Sequence, residues 1–186
     1  MNLVRFGTLL CSLALAAVAL HAPGAAAQSK KAAQIDRDAR TALGKLVARV
    51  PAAKALSGKA VAILVFPSIT KAGLMVGGQY GEGALIKDGK TVGYYSTGGA
   101  SYGLQAGAQK YGYALFFMKE SALSSLNRAQ GFEVGVGPSV VVVDEGMGKS
   151  STTNTMNDDV YAFIFSQKGL MAGLGVQGNK ISRIKP

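Results

Sequence analysis

The 186-residue sequence predicts an α+β fold, with an N-terminal amphipathic helix packed on a strongly curved, glycine-rich antiparallel β-sheet. Three observations carry that expectation. Residues 30–50 repeat their apolar side chains on a 3.6-residue period, the mark of a helix with one buried face. From residue 60 onward the apolar residues come in runs of strand length. Glycine punctuates those runs, with 12 between Gly73 and Gly112. A flexible linker would pair that glycine with serine and charge, whereas here it alternates with Leu, Met, Val, Tyr and Ala. Glycine inside strands marks bulges, bends or close backbone approach, and Gly77, Gly78 and Gly81 are the expected bend positions.

Residues 1–27 read as an export signal, leaving residues 28–186 as a single domain. Arg5 supplies a basic start, Phe6 to Leu20 is apolar, and Ala25-Ala26-Ala27 before Gln28 has the small-residue cleavage pattern. The apolar stretch is shorter than the roughly 20 residues a spanning helix needs. Cys11 follows Leu9-Leu10 and sits too early for a lipidation site. Localisation is therefore expected to be exported, in the periplasm or cell envelope, with peripheral attachment to a membrane.

The helix comes next. Ile35, Ala39, Ala42, Leu43, Leu46, Val47 and Val50 fall on one side, and Arg37, Thr41, Lys45 and Arg49 on the other. Asp36 interrupts the apolar stripe. Pro51 ends this helix or opens a second, Pro51 to Ser57, at its first position. Ala60 to Phe66 reads as a buried strand closed by Pro67. Further strands are expected over 73–86, 92–109, 113–118, 132–143, 160–166 and 170–178, with Lys87-Asp88-Gly89-Lys90 a hairpin turn. Glu120 to Arg128 reads as a short helix, and 144–159 as an exposed polar loop. Gly73-Leu74-Met75-Val76-Gly77-Gly78 is echoed at Gly169 to Gly175, which suggests two equivalent bent strands without a fixed repeat.

The residues available for chemistry are few. The only Cys is Cys11 and the only His is His21, both within the signal. The processed chain would hold neither thiol nor imidazole, which excludes Cys/His nucleophiles, Ser-His-Asp triads, thiolate zinc sites and disulfides. Gly146-Met147-Gly148-Lys149-Ser150 lacks the leading glycine of a phosphate loop, since Val143 stands there, and loop residues follow where a helix is needed. Ser68-Ile69-Thr70-Lys71 matches S-x-x-K, but the S-D-N and K-T-G elements of serine acylases are absent. Carboxylates for a glycosidase would come from Asp144-Glu145, Asp158-Asp159, Glu82 and Glu133. The adjacent pairs read as solvated turns, and Glu82 as a surface residue between two glycines. Asp158-Asp159 lacks the spaced oxygens of a calcium loop. No catalytic residue, metal site or cofactor is expected.

Charge points to partners instead. The formal net charge is +10; losing Arg5 with the signal leaves 19 basic against 10 acidic groups, a formal +9. Between Lys30 and Lys59 stand eight basic and two acidic residues, so about two thirds of that charge lies on the helical segment. The candidate binding residues are Lys30, Lys31, Arg37, Arg40, Lys45, Arg49 and Lys54. A basic amphipathic helix suits an anionic phospholipid surface, at about 1 kcal/mol per basic residue near it. Nucleic acid needs the same charge, but Tyr80, Tyr94, Tyr95, Tyr102, Tyr111 and Tyr113 lie within apolar strand runs, and export argues against that role. The alternatives are an envelope structural or adaptor protein that binds an unknown protein or acidic polymer through the same face, and a carboxylate hydrolase.

Several blocks carry a family resemblance. Ala62-Ile63-Leu64-Val65-Phe66-Pro67, Lys71-Ala72-Gly73, Gly77 to Gly83 (GGQYGEG) and Ser101 to Gly107 (SYGLQAG) together resemble the SYLF family of lipid-binding domains. Phe132 to Val136 (FEVGV) and Val160 to Leu170 (VYAFIFSQKGL) extend the likeness, which covers about residues 35–184. The resemblance implies a non-catalytic domain that binds phosphoinositides and other phospholipids, largely through an N-terminal basic amphipathic helix. It implies actin binding for some fungal members. Here an export signal and the lack of an appended domain make actin an unlikely partner, and favour an anionic phospholipid such as phosphatidylglycerol or cardiolipin over a phosphoinositide.

Overall fold

A computed structural model describes residues 23–127, 132–133, 140–144, 158–169 and 180–186. The signal's residues 1–22, the Gly146 to Ser150 motif, most of the polar loop and the strand expected over 170–178 lie outside them. The chain runs α1 (Pro23–Arg49), α2 (Pro51–Ser57), β1 (Ala62–Lys87), β2 (Lys90–Phe117), α3 (Glu120–Ser124) with a 3-10 turn (Ser125–Asn127), β3 (Phe132–Glu133), β4 (Val140–Asp144), β5 (Val160–Gly169) and β6 (Lys180–Ile184). The fold is α+β, with one six-stranded sheet in the order β3-β6-β2-β5-β4 and β1 on the other edge of β2.

The helical boundaries follow local chemistry. Pro51 lacks the N–H that would continue α1, and it occupies the first turn of α2, where that donor is not needed. Val50 between them is extended and buried. The hairpin turn is as expected: Asp88 and Gly89 both take positive φ, 51° and 73°, as a two-residue turn of the primed type requires, and Lys87 pairs with Lys90.

Four expectations need correction. First, Pro67 does not close the first strand; β1 runs on to Lys87. The register shifts between Phe66 and Ile69, so Pro67 sits in an irregularity where its missing donor costs no ladder bond. Second, the runs over 92–109 and 113–118 are one strand, β2, because a shift between Lys110 and Gly112 absorbs the irregularity without a break. Third, the sheet is not wholly antiparallel: β4 pairs parallel to β5, Val140 against Val160. The fifteen residues from Glu145 to Asp159 meet the dozen or so that a parallel crossover needs. Fourth, Gly78 is not a crowded position, having only the Gly99 carbonyl oxygen at 4.0 Å from an added Cβ.

The close approach lies a little further along. A Cβ on Gly81 would come within 2.8 Å of the Ile69 side chain, and one on Gly83 would collide with the Val65 carbonyl oxygen. Residues 81–83 of β1 thus lie against residues 65–69 of the same strand, a contact that only a glycine backbone permits there.

Both faces of the sheet are buried where residues 62–66, 113–117 and 160–165 run side by side. Ile63, Val65, Ala114, Phe116, Phe163 and Phe165 pack with Ile35, Ala39, Ala42 and Leu46 of α1 and with Ala53 and Leu56 of α2. The alternate residues Leu64, Phe66, Tyr113, Leu115, Ala162 and Ile164 pack with Ala122, Leu123 and Leu126 on the opposite face. This two-sided burial is why the strand from Ala62 to Phe66 reads as an unbroken apolar run instead of alternating. No helix among the described residues is long and apolar enough to cross a membrane.

Candidate functional site

Helix α1 lies on the sheet through its apolar stripe. Ile35, Ala39, Ala42, Leu46 and Val50 are buried, and Leu43 packs against them half-buried. The stripe therefore faces protein, and the charged residues take what remains of the helix surface. Lys30, Lys31, Arg37, Arg40, Lys45 and Arg49 are all exposed, as is Lys54 on α2.

Two of the seven are engaged by the fold. Lys31 Nζ donates to Glu82 Oε1 at 2.7 Å, and the same oxygen accepts from the Tyr80 hydroxyl at 2.7 Å. Burial alone would raise the Glu82 pKa; the hydrogen bonds from Lys31 and Tyr80 outweigh it and hold the carboxyl below its usual range. Arg40 Nε donates to both oxygens of Asp36 at 3.0 Å, one helical turn away. Its other nitrogens reach the hairpin turn, to the Gly89 carbonyl at 2.9 Å and the Thr91 hydroxyl at 3.1 Å. Thr91 also donates to Asp36. The Arg40 and Thr91 hydrogen bonds hold the Asp36 carboxyl low. Asp36, which interrupts the apolar stripe in the sequence, is thus half of a polar latch between helix and hairpin.

The other cations are less committed. Arg37 Nη2 donates to Gln34 at 2.6 Å. Among the described residues, Lys30, Lys45, Arg49 and Lys54 form no ion pair.

Lys45 and Arg49 do not simply face open solvent. They line a cleft of about 530 Å³ between α1 and the sheet, with Ser68 beside Pro67 on one wall and Lys110 and Ser166 on another. Lys168 completes the wall. Lys110 and Lys168 are direct partners across the antiparallel β2–β5 ladder. Next to them the register shifts, and Ser166 takes a φ of +54°, unusual for a residue other than glycine. Phe165, 2% exposed, packs where a Cβ on Gly112 would stand. Among the described residues, four cations therefore meet one carboxylate, Asp38, whose oxygens already accept from Gln34 at 2.9 Å.

Of the cleft's four cations, the sequence pattern singles out Lys45 and Arg49, as part of a basic helix face, and gives no sign of Lys110 and Lys168. Lys110 and Lys168 are 58 positions apart, and only the ladder register brings them together. The carboxylates weighed for hydrolysis do not converge where described: Glu82 pairs with Lys31, and Asp159 with Lys119 at 2.7 Å.

Residues 98–185 match the family model described as Ysc84: Las17-binding protein actin regulator. That segment takes in most of β2, α3, β5 and β6, with Lys110 and Lys168, while α1 lies outside it. No curated protein matches the chain.

Proposed function

We propose, from the match of residues 98–185 to the Ysc84 family model together with the SYLF resemblance of the sequence blocks, that this protein is a non-enzymatic phospholipid-binding domain of that family that adsorbs to anionic membrane surfaces. The observation that carries the reading is the split surface of α1. Its apolar stripe is spent on the sheet, and Lys30, Arg37, Lys45, Arg49 and neighbouring Lys54 are left at the surface with no ion pair among the described residues. Five such charges near an anionic bilayer would contribute about 5 kcal/mol, enough for reversible peripheral attachment. Lys31 and Arg40 contribute less, because carboxylates already neutralise them.

The remaining parts of the reading follow. Residues 1–27 are an export signal, and the membrane is an envelope bilayer rich in phosphatidylglycerol or cardiolipin. The family description names actin regulation and Las17 binding; an exported protein would not meet cytoskeletal partners, so the membrane is preferred here. The strongly curved sheet belongs to the same proposal. Gly81 and Gly83 let β1 come back against residues 65–69, giving α1 a firm platform from which its charges project.

Vesicle co-sedimentation tests the function. The protein should pellet with phosphatidylcholine vesicles that contain phosphatidylglycerol and stay in solution with phosphatidylcholine alone. Failure to pellet with either would favour the adaptor alternative, in which the basic face meets a protein or an acidic polymer.

A further inference from the structure

A membrane-facing helix accounts for charge on α1, but not for charge placed opposite it on the sheet. Lys110 and Lys168 are direct cross-strand partners, and like charges so placed destabilise a ladder. Both line the same cleft as Lys45 and Arg49, with Asp38 the single opposing carboxylate among the described residues. Among the described residues, four cations against one anion give the cleft's lining a formal +3. None of the four basic groups has an ion pair among the described residues, although Lys31, Arg40, Lys87 and Lys119 all do. The bulge that turns Ser166 to positive φ adjoins this lysine pair. Backbone irregularity of this kind gathers where a strand must aim its side chains at something.

We propose that this cleft binds one phosphoryl group, gripped from the helix by Lys45 and Arg49 and from the sheet by Lys110 and Lys168. A bound phosphate supplies the counter-charge that the opposed lysines lack. Arg49 can bind two of its oxygens in a fork, and the lysines act as point charges around it. The hydroxyl of Ser68 lines the same cleft as a further donor. A phosphate monoester, with up to two negative charges, offsets a +3 cleft better than a singly charged diester. The site should therefore prefer a terminal phosphate over a bridged one. Taken as a lipid headgroup, that phosphate rests on the membrane reading above; taken as a soluble ester, it does not.

The test compares the purified protein with Lys110→Gln/Lys168→Gln and with a charge-matched control, Lys59→Gln/Lys90→Gln, whose residues are exposed and lie outside the cleft. Each is titrated with phosphatidylcholine vesicles containing either phosphatidic acid or phosphatidylglycerol at equal surface charge, and separately with glycerol 3-phosphate, followed by thermal shift. The wild type and the control should favour phosphatidic acid vesicles by about tenfold, and the cleft variant should lose that preference while melting no lower than the wild type. Loss of the preference supports the cleft with a lipid source. If the vesicles show no difference, but glycerol 3-phosphate gives a saturable shift that Lys110→Gln/Lys168→Gln abolishes, the cleft stands with a soluble source. A wild type that binds neither kind of vesicle, yet shows that shift, would sink the membrane reading and leave the cleft intact. Equal behaviour of the cleft variant and the control in every titration would overturn the proposal.

Discussion

Gly83 and Gly44 have the same side chain and opposite roles. A Cβ at Gly83 would enter the carbonyl of Val65 and the ring of Phe66, both buried, so neither neighbour can yield cheaply. Gly83→Ala should destabilise the fold by about 3 kcal/mol or more, the upper range for overpacking a filled core. Gly44 lies inside the C-terminal part of α1, on its exposed side, with nothing within 4 Å of an added Cβ. Gly44→Ala should stabilise by about 0.5–1 kcal/mol, the difference in helix propensity. Urea denaturation of the two variants measures both signs, and a tolerated Gly83→Ala would show that β1 does not lie against itself there. The composition could not separate these glycines. It announced that many are structural, but which ones meet backbone depends on where β1 comes back against itself, a long-range property.

At the level of elements, α1 is fastened in two ways. The apolar stripe supplies most of the attachment, and Leu46, 2% exposed, sits within it. Leu46→Asp would bury an unpaired carboxylate and should cost more than about 3 kcal/mol. The loss should register as lowered thermal stability instead of selective loss of lipid binding, because the stripe contacts protein. Neutralising Arg37, Lys45 and Arg49 together should do the reverse. The fold should stand, since surface changes rarely exceed about 0.5 kcal/mol each, while attraction to an anionic bilayer falls by about 3 kcal/mol, over a hundredfold in affinity. Thermal melts and vesicle titrations on both variants check the crossed pattern. The second fastening is the latch of Asp36 with Arg40 and Thr91 and of Lys31 with Glu82. Both carboxyls are held below their ordinary values. Such groups contribute stability above about pH 4 and lose it as pH falls through their lowered folded-state values. Between neutral pH and about pH 3 the wild type should therefore lose more melting temperature than Asp36→Asn does, by an amount set by less than about 1 kcal/mol for so accessible a pair. An equal loss would mean that the latch adds nothing.

The helix was legible in the sequence because its period survives from Ile35 to Val50 and its charges sit on the complementary positions. The hairpin was legible through Asp88-Gly89. Strand boundaries were not, because Pro67 and the Gly112 region look like breaks and are absorbed as shifts in register. The five residues of β6, Lys180-Ile181-Ser182-Arg183-Ile184, carry too little alternation to stand out, yet they pair with Tyr94 to Gly98 of β2. The cleft's sheet wall was hidden for the same reason: no local pattern ties Lys110 to Lys168.

Over the whole molecule, charge and shape divide the work. Around residues 62–66 and 113–117 the two faces of the sheet are filled, one by α1 and α2 and the other by α3 and its following turn, so the core takes up most of the large apolar side chains among the described residues, with Tyr80 and Val92 left exposed. What is left outside carries the excess of basic groups, a formal +9 once the signal is removed, much of it between Lys30 and Lys59. Such a surface acts through a screened field, with a reach of about 10 Å at 0.1 M salt and about 3 Å at 1 M. An electrostatic attachment must weaken steeply over that range, and an attachment made by inserting apolar side chains would hardly respond. The most direct measurement is therefore the affinity of the wild-type protein for phosphatidylcholine vesicles containing phosphatidylglycerol, taken at about 0.1 M and about 0.5 M salt. The account predicts tight binding at the lower salt and a loss of at least about tenfold at the higher. Binding of equal strength at both concentrations, or equal binding to vesicles without the anionic lipid, would contradict it.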